Sequence, residues 1–516
     1  MRTVNTFDKI LLIILFLFSC WFMWKSFSYD AKTHEFIIAR NVVGDFGLHL
    51  SLIRSFSWGN NIPVESPFYP GVPLPYHYGV DLAAGLLERA GVRIDVALNG
   101  LSAIAYTLLL YCIYLLPQRI FGKNRFVGIV SVFLFVFHSS QTFVDFFAGK
   151  SISFSLVKNI WVLPNYIHAG PFDGSQISTF FTPNVFANQR HLVVGLAISL
   201  WLVYWLWPFV MGKKHQFGHF IWAGVVLGIL GWVHTLIFLG TSLVIGLLCL
   251  VRKRWKLLVP LLLPAAIIVA PRVWVILLSG LRSHPIWNPG FLASRPLTAY
   301  SFFTYWWVNL GAAMIAVPFG VFITGKGRRQ LFWAATVLFI IANTFQLSYR
   351  IDHNHSLLNF WIIIADFYAA YALYYLWSKK TMGKITAVVA FAVLTASGIL
   401  DMMAVKNDYR LRFTDAPKNI FMQWIRTSTP PDAVFFAKQE LLDPVTLAGR
   451  KNYIGHDYYL SVMGYDYADR ANSANVKNTE QLKNEGVDYI VLPKDTPWQD
   501  EAGPVYRGDT MTVYKL

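Results

Sequence analysis

Asp45 and His49 stand one helical turn apart in the run GDFGLHLSLIR, which starts at Gly44. Leu48, Leu52, Ile53 and Phe56 follow a helical repeat, so the carboxylate and the imidazole face the same way. A carboxylate so placed can take a proton from a hydroxyl. An aspartate before an apolar-periodic run can equally be a helix N-cap, and the two roles are compatible. His49 could hydrogen-bond Asp45, tune its pKa or meet a phosphate oxygen; an interfacial histidine without a role fits as well. A loop rich in proline and aromatics follows and ends in Tyr76-His77-Tyr78. His77 and Asp81 repeat the four-residue spacing. A second acid there could orient a bound hydroxyl or help hold a divalent ion, and polar residues at a water boundary have the same look.

Other polar residues stand out against apolar surroundings. Arg190 and His191 open a long apolar segment after the polar run Asn184 to Gln189. A guanidinium at headgroup depth binds anions, and a snorkelling arginine at a span end looks the same. Arg272 lies inside an apolar segment, where it needs a partner or a water-filled pocket; Arg282 and Arg295 are weaker alternatives. His234 follows Trp232-Val233 at a tight turn and suits either a cavity lining or a structural role. Asp352, His353, Asn354 and His355 form a polar knot. Two histidines and an acid can bind zinc, but the spacing and the missing third ligand leave hydrogen bonding to a sugar, or solvation, as the better readings. Asp366, costly in lipid, is expected to face the interior in a structural hydrogen bond. Asp173 is a further acid without distinguishing context.

The elements that must position these groups are membrane spans. The chain has 516 residues, 55% of them hydrophobic, with a mean hydropathy of +0.45. Apolar segments near 8–28, 95–116, 126–146, 191–211, 217–233, 235–251, 257–278, 302–324, 331–348, 357–377 and 383–404 predict about eleven transmembrane helices. The linkers on one side of such a bundle hold fifteen basic residues, from Arg119 to Lys384, and no Asp or Glu. The positive-inside rule then places the N-terminus in the cytoplasm. It places the loops 29–94, 147–190 and 279–301, and the C-terminal tail, outside the cytoplasmic membrane. The net charge of +16 comes largely from these short flanking clusters, which excludes a nucleic-acid partner. The first span looks like an uncleaved anchor. Cys20, Cys112 and Cys249 all fall in apolar spans, so the outer regions carry no disulfide.

Composition changes after about 405. Residues 406–516 contain 14 basic and 15 acidic side chains, the balance of a water-soluble segment. A helix over 416–427, a break at Pro430-Pro431, strands near 433–437 and 487–492, and a hairpin turn at Tyr506 to Asp509 predict a small α/β domain. The expected division is therefore a transmembrane domain over 1–404 and a soluble extracytoplasmic α/β domain over 405–516. No internal repeat is visible.

Several stretches resemble the GT-C superfamily of membrane glycosyltransferases: the 44–78 run, TPNVFANQRHL at 182–192, YWWVNLG at 305–311 and RIDHNHSLLNFW at 350–361. The tail segments WIRTSTPPDAVFF, TLAGRKNYIG and VDYIVL resemble the soluble C-terminal region of bacterial and archaeal members. The resemblance implies an all-α GT-C-like bundle and an inverting transfer of a hexosyl or pentosyl group. The donor would be a sugar on a polyprenyl phosphate, and the acceptor a hydroxyl of a glycan, lipid or protein. It implies Asp45 as the catalytic carboxylate, assisted by His49, and a donor phosphate met by Arg190, His191 and Arg272. His77, Asp81, His234, Asp352 and Asn354 are then candidates to bind acceptor or sugar. Members with a metal-dependent site often pair acids in the first outer loop. Here Phe46-Gly47 follows Asp45, so Mg2+ or Mn2+ is left as an open expectation. No cytoplasmic linker is long enough to bind a nucleotide sugar. Rival readings are a flippase or transporter of a lipid-linked glycan, and a non-catalytic glycan-assembly factor.

Overall fold

A computed structural model describes residues 5–170, 172–177, 180–212, 217–278, 285–476, 479–494, 496 and 503–516. Arg282 and the basic pair Lys213-Lys214 lie outside the described residues. The chain divides into two compact units. One comprises residues 1–25, 102–270 and 284–409, and the other residues 26–101, 271–283 and 410–516.

The first unit is helical and belongs to a multi-pass membrane protein. Among the described residues, six helices of the chain are long and apolar enough to cross a membrane. Ala299–Leu310 and Ala313–Ile323, bent by 88° at their junction, add a seventh if they count as one span. The expected eleven are therefore not reached. Arg125–Val136, Phe217–Val233 and Thr235–Val251 are apolar but short, and Lys326–Thr344 opens with Lys326, Arg328 and Arg329. The most enclosed span is the one ending at Trp377, with 89% of its apolar window buried. Several polar residues inside this unit have buried polar neighbours, as lipid favours. Asp8 accepts from the Tyr114 hydroxyl at 2.8 Å, and Asn309 accepts from the Ile177 amide at 2.7 Å. Asp366 is buried 3.8 Å from His138. Both line an otherwise apolar cavity of about 280 Å3 with Trp306, Phe332 and Trp361. Cys112 and Cys249 are buried and Cys20 half-buried, all as free thiols.

In the second unit the first long loop and the C-terminal segment fold together. Strand Glu35–Ala39 pairs antiparallel with Phe27–Asp30 on one edge and with Arg410–Thr414 on the other, setting Phe36 opposite Phe413. Leu48, Leu52, Phe68 and Leu74 share one core with Tyr453, Tyr459, Leu460, Met463 and Ile490. The predicted tail elements occur as a helix Ile420–Ser428, strands Val434–Phe436 and Tyr489–Pro493, and a hairpin of Tyr506–Arg507 with Met511–Lys515. With the strand Lys451–Asn452 they build a five-stranded mixed sheet.

Arg54 ties the loop to the tail. It is 1% exposed and reaches both carboxylate oxygens of Asp415, at 3.2 and 3.0 Å. Its Nε lies 2.9 Å from Glu88, and its plane covers the Trp58 ring at 3.3 Å. Burial raises the Glu88 pKa against the opposing pull of Arg54. Removing one member of such a buried network strands a charge.

Candidate functional site

The helix Val43–Ser57 carries Asp45 in its first turn, and its N-cap is Val42, without a side-chain cap. The N-cap reading of Asp45 is therefore replaced by a first-turn position, where a carboxylate meets the positive end of the helix dipole. Asp45 is half-buried. His49, one turn on, does not take Asp45 as the acceptor for Nδ1. It places Nδ1 at 3.0 and 3.1 Å from the two oxygens of Asp81, with His49 and Asp81 4% and 2% exposed. In the tautomer that donates Nδ1–H to Asp81, a neutral ring would present Nε2 as an acceptor. The helix Gly79–Arg89 supplies Asp81 from its first turn. His77 lies before that helix, its ring against Tyr76 at 4.0 Å. The repeated four-residue spacing therefore does not put His77 and Asp81 on one helical face. The contact that Asp81 makes in this structure is with the His49 imidazole.

Tyr76 completes this cluster. Burial raises its hydroxyl pKa well above the ordinary value, and the nearby charges of Asp45 and Asp81 add to the shift. The tail contributes as well. The Tyr459 hydroxyl donates toward the carbonyls of Gly44 at 2.9 Å and Leu441 at 2.7 Å, and burial raises its pKa. Gly47 permits that approach, because a Cβ there would lie 2.0 Å from the Tyr459 oxygen and 2.2 Å from the Leu441 carbonyl. Spacing within the first loop gives no sign of Tyr459. The two glycines flanking Asp45-Phe46 are the signal that something approaches the backbone closely.

Arg272 belongs to the second unit. It is 1% exposed, donates to the Leu74 carbonyl at 2.7 Å and the Tyr76 carbonyl at 2.5 Å, and stacks on Tyr78. Its guanidinium braces the loop that presents Tyr76 and His77.

The first unit holds the other candidates. Arg190 begins the helix Arg190–Val210 and is 1% exposed. It donates to the Met23 carbonyl at 3.1 Å and touches the Met23 sulfur. His191 and His234 are buried with ring centres 5.3 Å apart, and His234 precedes the helix Thr235–Val251. His355 takes Gln189 at 3.1 Å and stacks on Phe180.

The 352–355 knot is structural. Arg350 grips both oxygens of Asp352, at 3.0 and 2.9 Å. Asn354 is 0% exposed; it donates to Ala342 and Phe345 and accepts from Leu347. His353 pairs with Ser348 at 2.7 Å. In this structure the polar atoms of Asp352 and Asn354 hold the chain together. Asp173 is exposed, held by a local bond to the Ser175 amide. Arg295 is exposed and bonds Asn288.

For a divalent ion, the donor set of the second unit is thin. Asp81 is committed to His49, which leaves Asp45 as the half-exposed carboxylate of the pair singled out there. Mg2+ and Mn2+ prefer several oxygen ligands, and one carboxylate does not make such a set.

The architecture just described is a GT-C fold. ArnT from Cupriavidus metallidurans in the apo state is similar at a TM-score of 0.51 and 10% identity, covering 98% of this chain and 97% of that one. The same protein bound to undecaprenyl phosphate matches at 0.51 and 10%, over 99% and 98%. The archaeal oligosaccharyltransferase AglB from Archaeoglobus fulgidus, in complex with an inhibitory peptide and a dolichol-phosphate, matches at 0.43 and 13%, over 95% and 70%. No protein-family profile matches the sequence, and no curated protein is similar to it in sequence.

Proposed function

We propose that this chain is an inverting glycosyltransferase that moves a hexosyl or pentosyl group from a polyprenyl-phosphate donor to a hydroxyl of a glycan, lipid or protein. Fold alone does not assign chemistry, so the reading rests on one observation. A half-buried carboxylate, Asp45, opens a helix that one turn later carries a histidine locked by a buried aspartate. Asp45 takes the proton of the acceptor hydroxyl as that oxygen attacks the anomeric carbon. The carbon–oxygen bond to the donor phosphate breaks as the new one forms, and no covalent enzyme intermediate arises. His49, its Nδ1–H held by Asp81, offers Nε2 to orient the attacking hydroxyl. Arg190 and His191 remain the proposed ligands of the donor phosphate. For Arg190 this means exchanging the Met23 carbonyl for phosphate oxygens, a stronger charge-assisted bond. His77 and His234 remain proposed sugar or acceptor contacts. The proposed setting is the outer face of the cytoplasmic membrane, with the N-terminus inside, eleven crossings and the 405–516 segment outside.

The deciding experiment compares envelope glycans of a deletion strain carrying the wild-type or the Asp45→Asn form at equal membrane abundance. Loss of one sugar residue with the variant supports transfer. Unchanged glycans with Asp45→Asn overturn it in favour of an assembly factor. Accumulation of untransported lipid-linked glycan would point to the flippase reading.

A further inference from the structure

The helix Phe154–Trp161 exposes its most apolar side chains. Phe154 is 86%, Val157 60% and Trp161 61% exposed, and Ile152 just before the helix is 98% exposed. Their spacing of three and four residues puts the three helical ones on a single face. Leu156 and Ile160, on the adjoining face, dock against Phe146 and Leu400. Ser155 and Asn159 occupy the remaining side. Ser153 caps the start through the Leu156 amide at 3.2 Å, so the short helix is anchored at its first turn.

Where this helix docks identifies its surroundings. Its end is held by the last turn of Thr381–Asn407, a helix long and apolar enough to cross a membrane. Lys406 donates to the Trp161 carbonyl at 3.2 Å and covers the Trp161 ring at 3.3 Å. Asn407 donates to the Trp161 and Leu163 carbonyls at 2.9 and 3.0 Å. The Thr381–Asn407 helix exposes Ile385, Val388, Val389 and Ile399 along its length, an apolar surface of the kind a span turns to lipid. Charge agrees with this. Lys150 precedes the helix and Lys158 lies within it beside the apolar face, and no Asp or Glu occurs between Asp145 and Asp173. An apolar face flanked by lysines, with a tryptophan at the edge, suits the headgroup boundary of a bilayer with anionic lipid.

We infer that Ile152 to Trp161 is a monotopic element that lies in the membrane surface, with Phe154, Val157 and Trp161 in the acyl region and Lys150 and Lys158 at anionic headgroups. It sets the depth of the 147–190 loop at the bilayer boundary. This inference does not depend on the transferase reading.

The test uses the full chain with Cys20, Cys112 and Cys249 replaced by alanine, in nanodiscs of mixed zwitterionic and anionic phospholipid. A bimane label is placed through Val157→Cys or, on the opposite side, Asn159→Cys. The Val157→Cys label is expected to be quenched several-fold more by doxyl lipids, and the Asn159→Cys label several-fold more by aqueous iodide. Equal iodide quenching at both sites without a doxyl response overturns the proposal. So does protection of the Val157→Cys label from both quenchers together with a dimer mass, which assigns the face to a second copy. Phe154→Cys reports the same face should Val157→Cys fail to fold.

Discussion

Two stretches of this chain look alike as sequence and differ as structure: GDFGLH in the second unit and DHNH, at 352–355, in the first. Both are dense in acids and histidines beside apolar helices. In the 352–355 knot, Asp352 is gripped by a neighbouring arginine and Asn354 closes three backbone bonds. Around Asp45, the supporting members are spent on one another and on the backbone. Asp81 holds His49, Arg272 holds the loop backbone, and Tyr459 holds Gly44. The carboxylate they surround keeps partial access to solvent. A polar cluster whose atoms are spent on neighbours braces the fold. One whose outer shell is spent around a half-open central group can act on a substrate.

Four substitutions would break or sharpen that contrast. Asp45→Asn should lower transfer at least about 100-fold, the ordinary contribution of a general base, while the melting temperature of the purified protein stays unchanged. Asn354→Ala should do the reverse. Three buried partners lose their bonds at about 3 kcal/mol in all, read as a marked fall in melting temperature with activity per folded molecule retained.

Asp443 tests a buried acid of the second unit that serves structure. Burial raises its pKa from 3.8 to about 7, against the bonds it accepts from Asn452 and Val445. Between those values the folded chain holds a proton that the unfolded chain has released. The stability from this group is therefore complete below about pH 4 and lost as pH rises toward 7. Asp443→Asn should flatten thermal stability across that window, and an unchanged pH slope would show that another group sets it. Smaller again, Asp81→Asn should cost about tenfold in activity and shift the pH–rate profile by releasing the His49 tautomer. An identical profile would mean that the pair only packs.

Much of this was legible. The apolar repeat Leu48, Leu52, Phe56 announced the helix that carries Asp45, because one buried face imposes a 3.6-residue period. The 434–436 and 489–493 strands and the 506–515 hairpin declared themselves by β-branched and aromatic runs between turn residues. Partners were not legible. His49 bonds Asp81, 32 residues away, a partner that its four-residue spacing from Asp45 does not indicate. Arg272 reads as a cation awaiting an anion, yet backbone carbonyls about 200 positions earlier take it. The number of crossings is less legible than the apolar segments themselves. Hydropathy marks apolar segments, and segments such as 126–146 break at residues like Phe137 and Gln141 once neighbours pack against them.

Local periodicity and composition determined the apolar helices, the water-soluble character of the last 110 or so residues, and the place of Asp45 near a helix start, since each depends on residues within a few turns of one another. Only the tertiary structure decided that the first loop and the tail share one core, which histidine an aspartate holds, and which polar clusters are braces. A hydrogen bond is made by whatever group the folded chain delivers within 3 Å or so, and distance along the sequence does not record that delivery.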